Sequence, residues 1–99
     1  MSTKAMVNTQ AVRQGEIVDY VLPTGRNAGQ HRPAIVVRIW ETPLTRQLKA
    51  VQLQVFIDGS NDFEHGQPGT LGGLLWATSV LQDEERKQPG SWHWPEVEE

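Results

Sequence analysis

Three histidines, His31, His65 and His93, are the first residues able to do chemistry, since imidazole ligates metals and moves protons near neutral pH. They stand thirty-four and twenty-eight residues apart, and none has a second ligand at the close spacing from which tetrahedral zinc sites are commonly built. They read as surface histidines in loops or at strand ends, and no metal is expected. The run Asp58-Gly59-Ser60-Asn61-Asp62-Phe63-Glu64 has the oxygen density of a cation loop. A calcium loop of the EF-hand type needs glycine at its sixth position and glutamate at its twelfth, where this chain has Phe63 and Gly69. A polar turn whose Asp and Asn side chains bond their own backbone is the expectation instead.

No serine lies in a G-x-S-x-G context, there is no cysteine, and no glycine loop leads into a helix to cradle phosphate. The chain is therefore expected to be no enzyme, with neither catalytic residues nor a cofactor. The aromatic residues say more. Trp92 and Trp94 alternate about His93, so an extended segment projects both indoles from one side and the imidazole from the other. They serve either as a plug for the open end of a small barrel or as interface anchors, a role in which tryptophan is enriched. Trp40 and Phe56 are expected on outer strand faces beside Arg38, Gln52 and Gln54, forming an exposed aromatic patch suited to a protein partner.

Strands have to hold these side chains in place. Runs rich in β-branched and aromatic residues mark Glu16–Leu22, Arg32–Trp40, Val51–Ile57 and Leu74–Val80, with Trp92–Trp94 as a short closing strand. Pro33, which has no N–H to give a ladder, is read as the entrance of the second. Period-two alternation predicts a core of Val18, Tyr20, Ile35, Val37, Ile39, Val51, Leu53, Val55 and Ile57. It also places Trp76, Thr78 and Val80 on one side of the fourth strand. Short strands, long loops and almost no helix predict an all-β fold, a small SH3-like, partly open five-stranded barrel. An extended arm over 1–14 precedes the barrel over 15–96, and 97–99 form an acidic tail.

Ninety-nine residues fit one domain, and a hydrophobic share of 37% with nine Gly and six Pro leaves a small core beside extensive loops. No apolar run approaches the roughly 18 residues of a membrane span. A net charge of -3 lacks the cationic excess that coats nucleic acid. Neither a membrane nor direct nucleic-acid contact is expected. The charge is uneven: +2 over residues 1–14, -1 over 15–82 and -4 over 83–99. Opposite ends of this kind favour head-to-tail contact between copies, or are simply solvated.

Gly15-Glu16-Ile17-Val18 followed by Arg32-Pro33-Ala34-Ile35-Val36-Val37 is similar to the opening of the MazF/PemK-type toxin ribonucleases, which have an SH3-like barrel. That resemblance implies an RNA-cleaving arginine at Arg26 or Arg32. The threonine it also implies after the third strand is missing, because Ile57-Asp58-Gly59-Ser60 stands there. Over residues 15–96, the runs GEIVDYVLP, HRPAIVVRIW, VQLQVFIDGSND and PGSWHWPE resemble small proteins encoded in tailed-bacteriophage genomes. This second resemblance implies a phage context without an assigned activity.

The expectation is a virion structural protein, foremost a capsid decoration or cement protein. A minor head–tail or tail accessory protein comes next, and a MazF/PemK-like RNA-cleaving or host-interaction protein last. Its partners would be the major capsid protein, other virion proteins and further copies of itself. It would reside in the virion after synthesis in the bacterial host cytoplasm. The expected contact residues are Met6, Val7, Val12 and Arg13 on the arm, Arg38, Trp40 and Phe56 on the outer face, and Trp92 and Trp94 on the closing strand.

Overall fold

The computed structural model describes residues 11–40, 50–63 and 71–96; Met6, Val7 and His65 lie outside them. Five strands form one sheet: β1 (Ile17–Val21), β2 (His31–Trp40), β3 (Ala50–Phe56), β4 (Leu74–Leu81) and β5 (Trp92–His93), in the order β4-β3-β2-β1-β5. The first four pair as an antiparallel meander, and the short β5 returns to the free side of β1. A bridge between Gln82 and Trp92, with the Asp83 N–H donating to the Trp92 carbonyl at 2.9 Å, draws the end of β4 toward β5. The Glu84 carboxylate fastens this seam by accepting from Gln82 Nε2 and from the Trp94 backbone N–H, both at 2.8 Å. The sheet is thus a curled half-barrel, the all-β, partly open SH3-like form expected. Among the described residues there is no α-helix, only a 3-10 turn at Leu71–Gly73. None of their helices is long and apolar enough to cross a membrane.

Alternation works where a strand is regular. Val51, Leu53 and Val55 are fully buried beside Val18, Tyr20 and Leu22, and Ile57 packs against them from the edge. Strand β2 departs from the expected core. Ala34 and Val36 are buried, Ile35 is half-buried and Val37 is 43% exposed. The cause is a bulge: Val36 faces Leu53 and Arg38 faces Gln52, which leaves Val37 as an extra residue. One extra residue reverses the inward parity beyond it. Ile39 therefore packs on the core as expected, although Ile35 and Val37 do not. Pro33 lies within β2, opposite Asp19, rather than at its entrance.

A second bulge splits the expected side of β4. Val51 faces Val80 and Leu53 faces Ala77, so β4 carries one residue more than β3 across this stretch. Val80 and Ala77 turn inward, while Trp76 is 48% exposed. Ser79, held at φ 52°, donates its N–H to Gln52 Oε1 at 2.7 Å. Leu53→Ala should destabilise the fold by about 2–5 kcal/mol, through lost burial and the cavity left behind. Urea unfolding with an unchanged denaturant slope checks this.

Candidate functional site

The register assembles an apolar outer face. Ile17 pairs with Ile35, Ile35 with Gln54, and Gln54 with Trp76, a row that crosses four strands. Directly opposed residues share a face, so the row lies on the side away from the core. Phe56 pairs with Leu74 alongside it. Ile17, Phe56, Leu74 and Trp76 are 41–59% exposed. Farther along β2, the Arg38 guanidinium lies 4.0 Å over the Trp40 ring, and the indole N–H donates to Gln52 Oε1 at 3.0 Å. Gln52 thereby holds both Trp40 and the β4 bulge. The expected patch of Arg38, Trp40 and Phe56 is on the outer face. Ile17, Leu74 and Trp76 also belong to it: alternation turns Ile17 away from the core without joining it to the patch, whereas the side of Leu74 and Trp76 is decided by the β4 bulge.

The other expected contact residues lie elsewhere. Val12 is buried in the barrel's own core, and the Gly15 N–H donates to the Val36 carbonyl at 2.7 Å. The end of the arm therefore packs on its own domain, which removes Val12 from an outward contact. Arg13 is exposed, in a turn where its backbone N–H donates to Glu16 Oε1 at 2.8 Å. Trp92 and Trp94 are buried and meet edge to face, ring centroids 5.6 Å apart. Of the two roles open to them, the plug is the one their burial fits, and they offer no outward surface.

On the opposite side of β5 is a cluster that sequence spacing hid. Asp19 faces His93 across β1–β5, and His31 faces Val21 across β1–β2. Asp19 and Val21 point the same way on β1, so three neighbouring strands bring Asp19, His31 and His93 to one face. His93 is fully buried rather than at the surface. Its Nδ1 lies 2.8 Å from the Trp94 carbonyl and its Nε2 lies 2.9 Å from His31 Nδ1. A carbonyl only accepts, so His93 Nδ1 carries a proton; in the neutral ring Nε2 then accepts from His31 Nδ1–H. Ligand-bearing atoms of the three side chains all lie within 4.8 Å of one another.

A third polar group is structural. The buried Asp62 carboxylate accepts from Arg32 Nε at 2.8 Å, Arg32 Nη2 at 2.5 Å, Asn27 Nδ2 at 2.9 Å and the Asp58 N–H at 2.7 Å. The Arg32 hydrogen bonds above all, then those of Asn27 and Asp58, hold the Asp62 carboxyl well below the usual carboxylate range against the opposing effect of burial. Arg32 also donates to the His31 carbonyl and to Gln30 Oε1. Asp58 takes the Ser60 N–H and Asn61 Nδ2, so the expected polar turn forms. No protein family, curated protein or solved structure matches this chain.

Proposed function

We propose that this chain is a non-enzymatic structural component of a phage virion, foremost a capsid decoration or cement protein that docks through its outer sheet face. The observation that carries the reading is the row Ile17–Ile35–Gln54–Trp76 with Phe56 and Leu74 beside it, a largely apolar strip of exposed side chains interrupted by Gln54 on a small barrel. Surfaces of this kind on small domains are characteristic of contact sites. The resemblance over residues 15–96 supplies the phage context, and the major capsid protein or another virion protein is the proposed partner. A further copy can add at the outer side of β4, where no strand pairs among the described residues. Against the RNA-cleaving alternative, the threonine implied after the third strand is missing; of the two candidate arginines, Arg32 is committed to Asp62 and Arg26 is exposed.

Mass spectrometry of purified virions tests the proposal. Copy numbers comparable to the capsid subunit support decoration, and a few copies per particle move the protein to the neck or tail. Absence from virions, with abundance in infected cytoplasm, overturns the structural reading. Trp76→Asp should weaken binding to particles that lack the protein by roughly thirtyfold, as expected when a central aromatic anchor is lost. A pull-down with intact particles reads this. Because Trp76 is about half exposed, the variant should remain folded.

A further inference from the structure

We propose that Asp19, His31 and His93 form a three-ligand site for a divalent transition metal of the zinc type, set over the seam where β5 joins β1. The inference is independent of the virion reading: it uses different residues of the same outer face, toward the β5 edge of the sheet.

The donor set is the first ground. Two imidazoles and a carboxylate suit zinc, cobalt(II) or nickel(II), and three protein ligands leave a position for water or a further ligand. Geometry is the second. Two nitrogens on one tetrahedral zinc, each about 2.0–2.1 Å from it, stand roughly 3.3 Å apart. His31 Nδ1 and His93 Nε2 are already 2.9 Å apart, and the carboxylate lies within the 4.8 Å that spans the cluster. Small side-chain rotations of Asp19 and His31, which are not buried, suffice to close the set.

Orientation is the third ground. His93 Nδ1 donates to the Trp94 carbonyl at 2.8 Å, the outer hydrogen bond that metal-bound histidines characteristically make. It fixes the ring and leaves the Nε2 lone pair directed at the cluster. Metal binding replaces the His31 Nδ1–H···Nε2 His93 bond by two metal–nitrogen bonds. His31 keeps its single proton by carrying it on Nε2 instead, so neutral imidazoles release none. Each ligand comes from a different strand, and β5 has only two residues in the ladder. An ion here would clasp β5 to β1 and β2 and close the barrel more firmly.

The test uses the full chain without a histidine tag, titrated with Zn²⁺ by calorimetry and with Co²⁺ by visible absorption. The expected result is one ion per chain, with cobalt bands of a low-coordinate nitrogen–oxygen site. A rise in melting temperature of roughly 10 °C or more is expected at about a hundredfold excess over Kd. His31→Ala and Asp19→Asn, both at positions that are not buried, should stay folded and bind at least about tenfold more weakly. His65→Ala should bind like the parent. A folded parent without stoichiometric binding, or His31→Ala with unchanged affinity, overturns the proposal and leaves the cluster a hydrogen-bonded one.

Discussion

Asp62→Ala is expected to destabilise the barrel by about 3–5 kcal/mol, because it strips a buried ion pair of one partner. Four donors lose their acceptor at once: two from Arg32, one from Asn27 and the Asp58 backbone. These tie β2, the loop after β1 and the turn after β3 to a single carboxylate. The two loops are also in close contact at Gly25, where a Cβ would come within 2.5 Å of the Asp62 carbonyl. With total stabilities of about 5–15 kcal/mol, a loss of this size leaves a small domain marginal. Urea unfolding at neutral pH measures it, and a change under about 1 kcal/mol would show that the pair is dispensable.

The same carboxylate gives the fold an acid-sensitive component. Its folded pKa is depressed, so its contribution is complete above the unfolded value of about 3.9 and is lost as pH falls through the folded one. Stability should therefore drop below about pH 4, and the drop should be shallower in Asp62→Asn. It does not vanish in that variant. Asp58, through Asn61 and Ser60, and Asp83, through the backbone N–H groups of Arg86 and Gln88, also have lowered values.

Trp92→Ala should cost about 3–5 kcal/mol, the range for emptying a buried indole site. Trp92 is fully buried, pairs with Tyr20 on β1 and bridges to Gln82 beyond β4, so one residue carries both sides of the seam. Its loss should also speed amide exchange at Val21 and Gly90, whose N–H groups bond across this closure. Trp76→Ala is the matched control: the same side chain removed from the outer face should change stability by less than about 1 kcal/mol. Equal losses for the two variants would mean that the seam is not where the barrel is held.

The all-β class, the five strands and the inward set of β1 and β3 were legible in the chain because they depend on short-range alternation alone. Val51, Leu53 and Val55 alternate with glutamines, and a regular strand has only one way to bury them. Local composition also marked Arg38, Trp40 and Phe56 as outer residues and gave Trp92 and Trp94 a common side opposite His93. Tertiary structure decided what no local pattern encodes. That β2 buries Val36 and then Ile39, instead of one unbroken alternating set, depends on a bulge, which is a mismatch between two strands and not a property of either. Likewise, Trp76 joins the outer face only because β4 gains a residue against β3. Asp62 and Arg32 lie thirty residues apart, and His31 and His93 sixty-two. Spacing in the sequence could not reveal those pairs, because β2–β3 pairing carries the turn after β3 to Arg32, and the return of β5 to β1 carries His93 to His31.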